Sequence, residues 1–74
     1  MSNKIKKIEN LEFNELEMLE LGSNKIRVIE NLDKLPSLTS LFLGKNRITQ
    51  IENLEPLIKL EQIALGVMYF FILA

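Results

Sequence analysis

Residues 16–32 read LEMLELGSNKIRVIENL, and residues 38–54 read LTSLFLGKNRITQIENL. The two segments share their leucine, isoleucine and asparagine positions at a spacing of 22 residues. The shared positions are Leu16, Leu19, Leu21, Asn24, Ile26, Ile29, Asn31 and Leu32 in the first segment and Leu38, Leu41, Leu43, Asn46, Ile48, Ile51, Asn53 and Leu54 in the second. Self-similarity at a fixed period of this length indicates a repeat architecture in which each copy forms one turn of a solenoid.

The same pattern continues in weaker form on both sides of these two copies. Asn3, Ile5 and Ile8 match the second half of a copy that is one residue out of phase. Leu60 and Ile63 open a further copy. We predict repeats over residues 1–66, divided into a partial copy at 1–15, full copies at 16–37 and 38–59 and a decaying copy from 60, followed by a divergent apolar tail at 67–74.

The end of the chain departs from the pattern. Met68 stands where asparagine is expected, while Phe70 and Leu73 fall at the two isoleucine positions, and no charged residue follows Glu61. An outermost turn exposes its apolar side unless a cap covers it, so this ending is typical of a truncated or alternatively terminated product. A membrane span needs about 20 apolar residues, which the tail lacks, so we expect no membrane association.

Alternation within each copy predicts which side chains are buried. Side chains point to opposite faces of a strand, so Leu19 and Leu21 face the core while Met18 and Glu20 face outward. After the strand the chain must bend, and the amide of Asn24 can satisfy the backbone groups that the bend leaves without partners. The predicted fold class is α/β, a solenoid with short parallel strands on its concave face and short helical or extended convex segments.

The pattern LxxLxLxxNxIxxIENL resembles the leucine-rich repeat. Its length of 22 residues and its Ile-Glu-Asn-Leu ending are similar to the subclass named after a nuclear regulator of protein phosphatase 1. The resemblance implies a protein-binding module whose concave face holds the catalytic subunit of protein phosphatase 1. An axonemal or cytoskeletal scaffold of the same subclass, or a truncated product without a function of its own, are the alternatives.

The concave face supplies the candidate protein-binding residues. The outward positions of the strands include Met18 and Glu20 in one copy and Ser40 and Phe42 in the next. An outward aromatic residue next to an acidic one has the character of an interface anchor, and a scattered surface residue is the alternative. The resemblance implies that acidic and aromatic side chains of this face contact the phosphatase, and Glu20 and Phe42 fit that pattern. Ser23 and Lys45 follow the strands, where we expect a solvated rim.

Composition narrows the classes of function. The 74 residues include no cysteine and no histidine, which excludes thiolate or imidazole metal sites, disulfides and Cys/His or Ser/His nucleophilic pairs. Nine basic and ten acidic residues give a formal charge of -1, which does not favour a polyanionic partner. We expect no enzymatic activity, no cofactor, no small-molecule substrate and no nucleic acid. The start, MSNKIKKIEN, lacks the apolar core of a signal peptide, so we expect an intracellular protein, nuclear or cytoplasmic.

Three further patterns have structural explanations. Lys4, Lys6 and Lys7 lie beside Glu9 and make no continuous basic stripe along the sequence, so we expect no phosphate or nucleic-acid site there. The glutamates lack a desolvated cleft in a solenoid of this size and are expected to form a solvated face. Glycines recur at residues 22, 44 and 66 without any nucleotide-binding context, and we expect them to permit a close approach or a tight strand exit.

Overall fold

A sheet built from successive copies organises the fold. The structure is a computed structural model that describes residues 4–66 and 68–71, with side chains for residues 4–66. Its strands are β1 (Met18–Glu20), β2 (Ser40–Phe42), β3 (Gln62–Leu65) and β4 (Met68–Phe71). They form one sheet in chain order, in which β1, β2 and β3 are parallel and β4 is antiparallel to β3. Each parallel strand therefore belongs to a different copy of the repeat.

The register of the parallel strands follows the period of the sequence. Leu19 pairs with Leu41, and Leu41 pairs with Ile63, so equivalent residues stand side by side across the sheet. The pairing continues beyond the strand ends, since the N–H of Leu21 donates to the carbonyl oxygen of Phe42 at 2.8 Å. The predicted stacking of copies with short parallel strands is confirmed for the described residues.

The core is a spine of leucines and isoleucines that neighbouring copies share. Ile26, Ile29 and Leu32 are at most 2% exposed, as the pattern predicts for side chains that return inside the coil. Burial falls toward the end of the array: Ile51, the equivalent of Ile29 one copy later, is 42% exposed. The part of this copy that carries Ile51 has no following copy among the described residues to cover it, because β4 returns antiparallel to β3.

Asn24 and Asn46 satisfy the backbone groups at the bend that follows each strand. The Oδ1 atom of Asn46 accepts the N–H of Ile26 at 3.0 Å, and its Nδ2 atom donates to the carbonyl oxygens of Leu21 at 2.9 Å and Leu43 at 3.0 Å. Asn24 is 8% exposed and bonds in the same manner. The predicted structural role of this asparagine column is confirmed, and Asn46 also ties its copy to the preceding one.

A second asparagine column, whose role the sequence does not reveal, lies in the Ile-Glu-Asn-Leu segment. Asn10, Asn31 and Asn53 each adopt a left-handed backbone conformation with φ 59°. Asparagine tolerates this region better than most residues. The Nδ2 atom of Asn31 donates to the carbonyl oxygen of Ile8, and that of Asn53 to the carbonyl oxygen of Ile29, both at 2.7 Å. Each bond joins one copy to the copy before it.

The convex segments correct the predicted fold class. Residues 4–66 and 68–71 contain no helix, so the α/β assignment and the helical alternative are wrong for them, and the convex segments are short turns. In one such turn the N–H of Leu38 donates to the carbonyl oxygen of Leu35 at 3.3 Å. Pro36 has no N–H to donate, and a segment of this length cannot nucleate a regular helix. No helix in these residues could therefore cross a membrane.

The chain reverses direction after β3 instead of completing another turn. Gly66 has φ 77°, and β4 returns antiparallel to β3. Phe70 pairs with Ile63, so the prediction that it continues an isoleucine position is wrong. This copy lacks the asparagine that satisfies the bend in the copies before it, which removes the bonds that guide the chain inward. Leu73, the other residue assigned to an isoleucine position, lies outside the described residues.

Candidate functional site

The predicted contact residues meet on one face of the sheet. Glu20 stands beside Phe42, and Phe42 stands beside Ala64, in a row across β1, β2 and β3. Met18 stands beside Ser40 in a second row two residues earlier. Because side chains alternate along a strand, both rows face away from the buried leucines. The structure brings the four predicted residues together on this concave face, and their binding of a partner stays a prediction.

Phe42 is the central side chain of its row. It is half-buried, with the exposed Glu20 on one side and Ala64, which is 5% exposed, on the other. Ala64 pairs with Phe42 on one side and with Tyr69 of β4 on the other, so its backbone has strand neighbours on both sides. Met18 is 58% exposed on the edge strand. Phe42 therefore offers the most firmly held apolar surface among the four predicted residues.

An open groove of about 510 Å³ crosses the concave face where the strands end, and we call it the strand-end groove. Its lining combines strand residues with residues of the strand exits, and it consists of Glu20, Gly22, Ser23, Phe42, Gly44, Lys45, Ala64 and Gly66. The groove has an apolar centre, with a carboxylate and an ammonium group among its lining side chains. Such a surface suits a peptide segment in which an apolar side chain lies next to charged ones.

The glycine column shapes the groove. A Cβ atom added to Gly44 would stand 3.0 Å from the backbone nitrogen of Gly66, and one added to Gly22 would stand 3.2 Å from the carbonyl oxygen of Gly44. Such contacts are tighter than a side chain normally makes, so any residue larger than glycine would press on the next copy. The predicted close approach is confirmed for Gly22 and Gly44, while Gly66 has open space around it and a φ of 77°, which fits the predicted tight strand exit.

Two features of the groove have no clear sequence signal. The N–H of Gly22 donates to the Oε1 atom of Glu20 at 2.5 Å, which holds the carboxylate at the groove. Ser23 and Lys45 have φ values of 61° and 59°, and both contribute to the lining rather than standing apart from it. The alternation of the strand predicts that Glu20 faces outward. It does not predict that the backbone of the next glycine fixes the side chain.

The groove offers binding groups rather than a cluster of metal ligands. Glu20 and Lys45 are its two ionisable side chains. Within residues 4–66 and 68–71, no three acidic side chains converge in a manner that would hold a metal ion. The described groove can therefore bind a ligand through its shape, its apolar contacts and the opposite charges of Glu20 and Lys45.

The copies stack on one another and form a groove on the face of the sheet. This arrangement is typical of repeat proteins that act as binding scaffolds. Residues 14–59, more than half of the chain, match the family described as leucine-rich repeats (2 copies). The chain belongs to the leucine-rich repeat family. Members of this family are non-catalytic modules that generally mediate interaction between proteins. A search of curated proteins found no match to the sequence.

Proposed function

We propose that the chain binds the catalytic subunit of protein phosphatase 1 through the strand-end groove, as a regulatory subunit or a fragment of one. The sequences of residues 19–35, LELGSNKIRVIENLDKL, and of residues 40–49, SLFLGKNRIT, are similar to that of protein phosphatase 1 regulatory subunit 7. In that regulator, acidic and aromatic side chains of the concave face contact the phosphatase. Glu20 and Phe42 are the residues that fit here, and the proposed location is nuclear or cytoplasmic.

The observation that carries this proposal is the pairing of Glu20 with Phe42 on adjacent strands. The carboxylate is already held by the N–H of Gly22, and the aromatic ring is half-buried, so little conformational freedom is lost on binding. An arginine of the partner could stack on the ring of Phe42 and pair with the carboxylate of Glu20 at the same time. The geometry therefore supports recognition of a basic side chain that lies next to an apolar one.

The area of the face limits the affinity that this chain can reach alone. Three neighbouring copies about 4.8 Å apart, each contributing a strand and its exit of about five residues, present roughly 250 Å². A standard interface uses roughly 800 Å² on each partner. We therefore expect weak binding, and the phosphatase must be titrated into the micromolar range and above. A submicromolar dissociation constant for these 74 residues would contradict the area argument.

Phe42→Ala is expected to weaken binding to the phosphatase catalytic subunit by at least about tenfold, because truncation removes the apolar centre of the groove. Calorimetry or biolayer interferometry with immobilised phosphatase measures the change. Phe13→Ala is the matched control, since Phe13 is an aromatic residue that is 50% exposed and lies outside the groove lining. The proposal fails if the two alanine variants lose the same affinity, or if Phe42→Ala binds as well as the unchanged chain.

A further inference from the structure

Folding brings five cations from three copies onto one flank of the solenoid. The N–H of Lys25 donates to the carbonyl oxygen of Ile5, and the N–H of Arg47 donates to that of Ile26, both at 2.8 Å. This pairing aligns two columns of exposed positions, which we call the basic flank: Lys4, Lys25 and Arg47 in the first column, and Lys6, Arg27 and Thr49 in the second. Along the sequence these residues are scattered, and only stacking makes them neighbours.

The charge of the basic flank is not neutralised within the described residues. Among them, the ion pair within 4.0 Å joins Lys34 to Glu12 at 3.8 Å, away from the flank. A depression of about 190 Å³ on the flank is lined entirely by cations, namely Lys6, Lys25, Arg27 and Arg47. The formal charge of the whole chain is -1, so folding has separated basic from acidic side chains.

We propose that the basic flank binds a phosphorylated segment of a partner protein. Two of the four cations that line the depression are arginines, on adjacent copies. A phosphate ester at neutral pH carries about -1.5 to -2 charges and three acceptor oxygens, so it can accept hydrogen bonds from more than one cation at once. Arginine binds phosphate with two parallel N–H groups, and the lysines add charge without a fixed direction.

The position of the flank favours a ligand carried by a protein. Ser23 and Lys45 line the strand-end groove, and Lys25 and Arg47 follow them two residues later in their respective copies. A peptide that leaves the groove at this end would continue over the flank. Binding of a phosphorylated segment at the basic flank rests on the proposed function in one respect, namely that the strand-end groove binds a protein. It does not depend on the identity of that protein.

The dimensions of the flank argue against nucleic acid as the intended ligand. Three neighbouring copies span about 10 Å, which is short for a groove that follows a phosphate backbone. Binding of single strands also relies on aromatic side chains on which bases stack, and the six residues of the flank include none. A single phosphorylated site, or two such sites close together, matches the compact depression better.

The test uses a fluorescently labelled Gly/Ser peptide with two phosphoserines separated by one residue, and it measures anisotropy as the full chain is added. At about 150 mM salt, where screening acts beyond about 8 Å, we expect saturable binding that the unphosphorylated peptide does not show. Arg27→Gln combined with Arg47→Gln should weaken this binding by at least about tenfold. Lys34→Gln combined with Lys59→Gln removes the same charge outside the flank and should change it by less than about twofold.

A second pair of variants separates the effect of bidentate hydrogen bonding by arginine from the effect of positive charge alone. Arg27→Lys combined with Arg47→Lys keeps the charge and is expected to give a loss between those of the other two pairs, with each fold checked by circular dichroism. Equal losses from both glutamine pairs, or binding that does not depend on phosphorylation, would overturn the proposal. So would tighter, equally arginine-sensitive binding of an oligothymidylate of the same charge. The peptide has no apolar side chain that could occupy the strand-end groove, so its binding reports on the basic flank alone. A failure of phosphatase binding would therefore not change the outcome of this test.

Discussion

Asn46→Ala is expected to lower the free energy of unfolding by about 2–4 kcal/mol. The side chain of Asn46 donates to the carbonyl oxygens of Leu21 and Leu43 and accepts the N–H of Ile26. Alanine leaves the N–H of Ile26 and the carbonyl oxygen of Leu43 unpaired, and each unpaired group costs about 1–3 kcal/mol. The carbonyl oxygen of Leu21 keeps its bond from Asn24. Two of the partners belong to the preceding copy, so the loss weakens the contact between copies. A chain of this length has a total stability of only about 4–11 kcal/mol.

Urea unfolding followed by circular dichroism measures this effect as a lower midpoint at an unchanged slope. Hydrogen exchange gives a local measure, because the amide of Ile26 should lose protection when its acceptor on Asn46 is removed. Asn14→Ala is the control, since Asn14 is an exposed asparagine in a turn, and its change should stay within about 0.5 kcal/mol. Retained protection at Ile26 would show that Asn46 is not the partner of this amide.

Leu41→Ala is expected to cost about 2–5 kcal/mol. Leu41 is 0% exposed and lies between Leu19 and Ile63 in the register of the sheet. A cavity at this position is enclosed by copies on both sides, which limits how far the structure can relax around it. Leu19 occupies the equivalent position on the edge strand and is only half-buried. Leu19→Ala should therefore cost less than Leu41→Ala.

The same urea experiment ranks these variants. Leu41→Met keeps most of the volume and should cost less than about 1.5 kcal/mol. Ile58→Ala removes an apolar side chain that is 80% exposed and should change stability by no more than about 0.5 kcal/mol. The order of these stability losses tests whether a core leucine on the edge strand is less buried than its equivalent in the next copy. A larger loss for Leu19→Ala than for Leu41→Ala would contradict it.

The period of 22 residues suffices to predict the register of the parallel strands. If each copy makes one turn, equivalent residues such as Leu19 and Leu41 must be neighbours, whatever the local propensities are. The role of Asn24 is predictable for a similar reason, since a bend after a strand leaves backbone groups that a side-chain amide can satisfy. These features depend on the repeat itself rather than on any single residue.

The features that the sequence does not predict depend on local geometry. A short convex segment containing Pro36 is compatible with a helical turn or a simple turn, because proline is tolerated both in the first turn of a helix and in turns. The reversal at Gly66 follows the loss of periodicity, so the repeat gives no guidance there. The left-handed backbone of Asn31 is likewise visible only in the structure, although its recurrence as Asn53 is visible in the sequence.

The candidate site divides in the same way. Alternation along β1 and β2 predicts that Glu20 and Phe42 share a face, and the period makes them neighbours. The bond from Gly22 to Glu20 and the left-handed backbone of Lys45 depend on the conformation of the strand exit. The basic flank is a different case, because its signal is present in the sequence. It is missed when Lys4 and its sequence neighbours are considered without the copies that stack beside them.

Successive copies stack in register, so that Glu20, Phe42 and Ala64 form one row. Nuclear Overhauser spectroscopy of the isotopically labelled chain tests this stacking directly, because backbone protons on paired strands lie within the detectable distance. We predict contacts that link residues 19–20 to 41–42, and residues 41–42 to 63–64, at the spacing of the repeat. A spectrum with only local contacts within residues 16–32 and 38–54, and none between the copies, would contradict this stacking of copies.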